Sequence, residues 1–136
     1  IYDMMTDPEI KACGAISVMS NIAPKFFTKM ISLLNQNETN KAKKIQKALQ
    51  PLATSVMVMT QEESEFGPVM CRARNPVPVK TLMQLLGMPS GPCRRPLGKM
   101  TKKGFEVLLD AAKTVQTDNP EIFEPIADFF NVDIEN

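Results

Sequence analysis

Gly14-Ala15-Ile16-Ser17-Val18-Met19-Ser20-Asn21-Ile22 is the run whose reading decides the fold. Ile16 and Val18 are β-branched, a glycine precedes them, and Ser20-Asn21 supply a stop, so the run reads as a buried strand over about 15–19. Downstream the sequence reads as almost nothing but helix. A lone strand cannot satisfy its own backbone donors and acceptors. The run therefore calls for strands that this sequence does not contain, supplied by another chain or by a longer sheet.

The helices follow from apolar spacing. Tyr2, Met5 and Ile10 mark a helical turn within 2–12, with Pro8 near a start or break. Ser20-Asn21 can cap a helix over 23–35, in which Pro24 fits the first turn. Its Phe27, Met30, Ile31 and Leu34 repeat at helical spacing. Thr39 can cap a helix over about 40–59, with an apolar stripe of Ala42, Ile45, Leu49, Leu52, Ala53 and Val56, kinked at Pro51. Gln61 to Glu65 and then Gly67-Pro68 read as a loop or a short separate turn. Val79, Leu82, Met83 and Leu86 mark a helix that Gly87 ends. Residues 88–100 are irregular. Thr101 caps a helix to about 117, and Asn119-Pro120 opens the last one, with Ile122, Phe123, Ile126, Phe129 and Phe130 as its apolar surface.

Composition narrows the chemistry. The 136 residues contain no histidine, so the usual general base and zinc ligand is missing, and acid–base work falls to Tyr, Lys, Cys or a carboxylate. Cys13, Cys71 and Cys93 form no CxxC pair. An odd count beside ten methionines suits a reducing interior with thiols as small apolar fillers. No apolar run approaches the roughly 18 residues of a membrane span. The chain opens on Ile1 without an initiator methionine, inside what already reads as structure, and is expected to be part of a longer protein. Residues 1–117 hold all 16 basic residues against 9 acidic ones, whereas 118–136 hold 6 acidic and no basic residues. Either the acidic tail lies against the basic body or both are ordinary solvated faces.

No phosphate loop, dinucleotide fingerprint, HExxH or GxSxG pattern occurs. Arg72, Arg74, Arg94 and Arg95 are able to grip carboxylates or phosphates, or to fix loops through carbonyls. Lys80 sits in an apolar context that would favour a neutral nucleophilic amine, yet at a helix start its stem can equally snorkel outward. Lys41, Lys43, Lys44 and Lys47 lie on more than one helix face, with no aromatic among them to make a nucleic-acid surface. In an eight-stranded barrel the C-terminal strand ends face the substrate, so Ile16 through Ser20 either line the site or merely fill the barrel.

With these residues in place, the chain resembles the 4-hydroxy-tetrahydrodipicolinate synthase (dihydrodipicolinate synthase) family over its C-terminal portion. Gly14 to Asn21 resembles the family's last-strand segment G-V-I-S-V-T-[AS]-N. Asn75-Pro76-Val77-Pro78-Val79-Lys80 resembles N-P-I-P-V-K, Arg95-Pro96-Leu97 resembles a shortened R-L-P-L, and Gln50-Pro51-Leu52 resembles M-P-L, all in the family's order. Met19 stands where threonine is usual, residues 60–74 are longer and more polar than the family's link, Arg94-Arg95-Pro96 replaces Arg-Leu-Pro, and 118–136 extends past the shorter pattern.

The resemblance implies an α/β fold: a C-terminal fragment of a (β/α)8 TIM barrel, with its last strand and helix in residues 1–36, followed by a helical C-terminal region in residues 37–136. The alternative is a free-standing helical bundle with one stray strand. The implied activity is a lyase of lysine and diaminopimelate biosynthesis that condenses pyruvate with aspartate semialdehyde through a Schiff base, without metal or organic cofactor. The Schiff-base lysine and the tyrosine relay lie upstream of Ile1 in the family pattern, so no catalytic residue is assigned here. The one residue carried over is Ile16, whose main-chain carbonyl would sit near that lysine as a substrate-site contact. A cytoplasmic homotetramer, with neither nucleic acid nor membrane as partner, completes the expectation. Sialic-acid or keto-deoxy sugar lyases of the same superfamily, a non-catalytic helical interaction protein and an RNA-binding helical module are the competing readings.

Overall fold

The computed structural model describes residues 1–132, and the chain divides at Pro51 into two compact units, Ile1–Gln50 and Pro51–Asn136. In the first unit, α1 (Tyr2–Thr6) precedes an irregular stretch and a 3₁₀ turn at Val18–Asn21, followed by α2 (Pro24–Asn35) and the start of α3 (Thr39–Thr54). Met19, Ile22, Ala23, Phe27, Met30 and Leu34 form its buried side. Three of these are the helically spaced apolar positions of α2.

The expected strand at 15–19 is not formed. Ser17 is extended, but the backbone turns into 3₁₀ geometry at Val18, and Ile16 is fully exposed. The cause is the absence of a pairing partner: a β-branched run gains strand geometry from a ladder, and no strand of this unit offers one. Ser20 and Asn21 accordingly do not cap α2. The Ser20 hydroxyl donates to the Ser17 carbonyl (2.5 Å) and the Asn21 amide donates to the Val18 carbonyl (2.8 Å), closing the 3₁₀ turn. The α2 N-cap is Ala23, and Pro24 occupies the first turn, where its missing N–H is harmless. At the other end Asn37 (φ 61°) takes the left-handed position, and the Glu38 N–H reaches the Leu33 carbonyl (2.8 Å). Thr39 is the first helical residue of α3 rather than its cap; the Glu38 carbonyl accepts from the N–H groups of Lys41 and Ala42.

The second unit corrects the all-helical expectation. α3 stops at Thr54, and the chain forms a hairpin of β1 (Met57–Ser64) and β2 (Gly67–Arg74), antiparallel, with Val58 opposite Ala73, Thr60 opposite Cys71 and Gln61 opposite Met70. Gly67, at φ 97°, takes a conformation costly for any side chain, which closes the turn after Glu65-Phe66. One face, with Val58, Thr60, Cys71 and Ala73, is buried or half-buried. The other, with Met57, Met59, Met70, Arg72 and Arg74, is exposed.

The hairpin packs on α4 (Val77–Leu85) and α5 (Lys102–Asp118), followed by a 3₁₀ turn at Pro120–Ile122 and α6 (Glu124–Phe130). Leu52, Val58, Val77, Val79, Leu82, Leu86, Leu108, Ala112, Val115, Ile122 and Phe123 belong to the core. Gly87 terminates α4 as its sequence suggests. At φ 70° it lets the Met88 N–H reach the Met83 carbonyl (2.8 Å) and its own N–H reach that of Gln84 (3.1 Å). Residues 88–100 hold no helix or strand. In the acidic run, Asp118, Glu121, Glu124 and Asp128 are exposed and form no ion pair among the described residues, so that part is a solvated face; Asp133 and Glu135 lie outside the described residues.

Candidate functional site

Two places hold the residues that the sequence singles out. The first is the run before the 3₁₀ turn. None of the N–H groups of 14–17 donates to a described residue, although the Ser17 carbonyl accepts from the Ser20 N–H (3.1 Å). Ser17 is extended, and Ile16 before it presents a bare aliphatic side chain to solvent.

The second is the surface around the loop 88–101. This loop is tied back onto α4 by three hydrogen bonds. Lys80 Nζ donates to the Pro92 carbonyl (3.1 Å), the Ser90 hydroxyl to the Lys80 carbonyl (2.9 Å), and the Gln84 amide to the Gly91 carbonyl (3.4 Å). Lys80 thus acts as a loop anchor with its stem along α4, which answers the sequence alternatives in favour of the outward-reaching amine. An open cleft of about 400 Å³ lies on one side of the loop, against Lys80, Gln84, Cys93 and Phe105. Another of about 380 Å³ lies on the other side, against Thr60, Cys71, Leu97 and Thr101. Both are shallow and carry no convergent pair of acid and base. Arg72, Arg74, Arg94 and Arg95 are exposed, and none is bound to a described carboxylate or carbonyl. Cys13, Cys71 and Cys93 are all free thiols.

Among the described residues, the one perturbed titratable group is Glu62, where the hairpin meets the start of α5. The Thr101 hydroxyl accepts from the Gly104 N–H (3.1 Å) and so caps α5. Hydrogen bonds from Thr101 and then Thr60, the latter at 2.8 Å, hold the Glu62 carboxyl below the ordinary range against an opposing desolvation, and the Lys103 charge adds a smaller lowering. Lys103 Nζ itself donates to the Gln61 carbonyl (2.9 Å). Gly104 leaves room for this joint: a Cβ there would lie 3.1 Å from Thr101 Oγ1 and 3.8 Å from Val58. Sequence reading identified the Thr101 cap and missed its partner, because Glu62 stands in a polar run that looks like loop. This network fastens a hairpin to a helix and is too exposed to serve as an acid–base centre.

Comparison with known proteins gives a consistent picture. The profile of the Dihydrodipicolinate synthetase family matches residues 2–115. A 4-hydroxy-tetrahydrodipicolinate synthase of Methanococcus maripaludis (strain C5) is 38% identical over 102 residues, which are 75% of this chain and 30% of that protein. The Acetivibrio thermocellus protein of the same name is 34% identical over 100 residues, 74% of this chain and again 30% of the relative. A crystal structure of dihydrodipicolinate synthase (dapA) superposes with a TM-score of 0.65 at 30% identity, over 83% of this chain and 35% of that one. The Thermotoga maritima dihydrodipicolinate synthase, at 24% identity and a TM-score of 0.64 over 84% of this chain and 34% of its own, shares the fold. The chain spans about 30% of the length of the curated relatives it matches.

Proposed function

The chain belongs to the dihydrodipicolinate synthetase family, and from that premise we propose that it is the C-terminal portion of a 4-hydroxy-tetrahydrodipicolinate synthase. In this reading the parent enzyme condenses pyruvate with aspartate semialdehyde. A lysine outside these residues forms an imine with the pyruvate carbonyl and releases water. The protonated imine is an electron sink, so a proton leaves the methyl carbon and the resulting enamine attacks the aldehyde. No metal or organic cofactor enters these steps.

The observation that carries the proposal is the family match over residues 2–115 joined to the unpaired run at 14–17. Ile16 matches the family's substrate-side strand position by motif, and a barrel strand lacking neighbours would leave the N–H groups of 14–17 without acceptors among the described residues, as they are. In the assembled barrel its carbonyl would face the imine nitrogen and accept a hydrogen bond there. Residues 1–36 then close the barrel and 37–136 form the appended region. The hairpin at Met57–Arg74 occupies the longer link seen in the sequence. A homotetramer in a reducing cytoplasm, where the three cysteines stay thiols, completes the proposal.

Borohydride reduction in the presence of pyruvate tests the mechanism. The parent enzyme is expected to trap one pyruvate on a lysine outside these 136 residues, and the isolated chain is expected to trap none. An adduct mapped to Lys80 or to any other lysine of this chain overturns the assignment. Failure of the parent enzyme to trap pyruvate overturns Schiff-base chemistry altogether.

A further inference from the structure

The hairpin presents a face that no described residue of its own unit covers. Along β1 the outward positions are Met57, Met59, Gln61 and Glu63; along β2 they are Arg74, Arg72, Met70 and Pro68. Met57 and Met59 are each 45% exposed, Met70 is 62% exposed, and Phe66 at the turn is 92% exposed. Met59 and Met70 lie near the centre beside Gln61, Met57 and Phe66 lie at the two ends, and the face is acidic toward the turn through Glu63 and Glu65 and basic toward the base through Arg72 and Arg74. The edges are protected where the face is not. Pro68 has no N–H to offer on β2, and Lys103 covers the Gln61 carbonyl of β1.

We propose that this outward face docks a second copy of the same chain, about a two-fold axis at the level of the Gln61–Met70 pair. The order of charges along the face selects this occupant. A two-fold axis pairs a patch with itself reversed. With Gln61 opposite Met70 and Met59 opposite Arg72 in the register, reversal about the Gln61–Met70 level brings Glu63 of one copy to the Met59–Arg72 level of the other. It brings the turn, with Glu65 and Phe66, to the Met57–Arg74 level. Met70 meets its own counterpart at the axis. Acidic ends fall on basic ends twice, with Met59 and Met70 between them and Phe66 of one copy at the level of Met57 of the other.

The size of the face sets the strength. Two strands of eight residues cover on the order of 300 Å² per copy at the usual strand rise and spacing. That is well under the roughly 800 Å² per partner of a stable complex. The association is therefore weak and concentration-dependent, strengthens at low salt, and reinforces other contacts rather than replacing them. It does not depend on which reaction the protein takes part in.

Sedimentation velocity over a concentration series tests it, using E63R, R72E, their equimolar mixture and M70E, each checked for native circular dichroism. E63R alone places Arg against Arg, and R72E alone places Glu against Glu, so each is expected to weaken self-association at least tenfold. Mixed, the two variants restore both pairs, and the mixture is expected to associate as the unaltered protein does. M70E, with two carboxylates at the axis, is expected to abolish the interaction. The proposal is overturned if the unaltered protein shows no association through this face that any of these changes weakens. It is also overturned if the mixture behaves as its separate components, which is the result expected if another segment or another protein covers the face.

Discussion

Gly87 shows how much one residue can decide. Its φ of 70° is open to glycine at no steric cost, and a Cβ there would stand 2.5 Å from Val132 Cγ2 and 3.1 Å from the Phe130 Cβ. Both effects act in the same direction, since alanine disfavours the left-handed backbone and lacks the room for its methyl group. Gly87→Ala is expected to cost about 1–3 kcal/mol, read as a fall of several degrees in the thermal midpoint. An unchanged midpoint would mean that the chain after α6 does not pack where the structure has it. This residue is fully legible in the sequence as a helix stop. The close approach of Val132 is not, because it comes from a segment 45 positions downstream.

At the scale of elements, the joint between the hairpin and α5 rests on an ionised Glu62. Its folded-state carboxyl titrates below the ordinary range, held there by the Thr101 and Thr60 hydroxyls and by Lys103. A lowered folded value means that the ionised form favours the fold. The contribution is complete above the ordinary carboxylate value of about 4.3 and disappears as pH falls through the lower folded value. Glu62→Gln should therefore be less stable than the parent protein at pH 7, with the gap closing in acid, as measured by urea unfolding from pH 7 to 3. An equal gap at both ends would assign the effect to packing instead. Thr101→Ala removes the α5 cap as well and is expected to cost about 1 kcal/mol even in acid.

The same joint explains what the sequence conceals. Helices α2, α4 and α5 are readable because Phe27, Met30 and Leu34, or Leu108, Ala112 and Val115, repeat at helical spacing on one buried side. The hairpin is hidden because only Val58 of its inward β1 positions is strongly apolar. Thr60 and Glu62 occupy the next two and are satisfied by Thr101, a partner about 40 residues away. Period-two alternation in polarity is thereby erased, and the apolar start of β1 reads as a continuation of α3. The turn signal Gly67-Pro68, between Val58-x-Thr60 and Val69-x-Cys71, was the available clue. The opposite error at 15–19 has the opposite cause: the local sequence favours a strand, and the pairing partner is missing.

At the scale of the whole molecule, that second mismatch becomes a measurement. The N–H groups of 14–17 have no acceptor among the described residues, and Ile16 is bare. A β-branched run with these properties keeps its strand preference unsatisfied, so adding neighbouring strands should convert it without altering its sequence. In the isolated chain the Ala15, Ile16 and Ser17 amides are expected to exchange with deuterium at nearly the rate of an unfolded peptide. In the parent enzyme, where the proposed barrel supplies strands on both sides, ladder bonding should slow them by orders of magnitude, toward the global unfolding limit. The amides of Met30 and Leu34, inside α2, serve as the internal reference, since their helical bonds are present in either context. Protection at Ile16 that appears only in the longer protein would place this run inside a sheet. Rapid exchange there in the parent enzyme would show that the run stays outside one, and the placement of Ile16 beside the imine would fall even if the family activity stands.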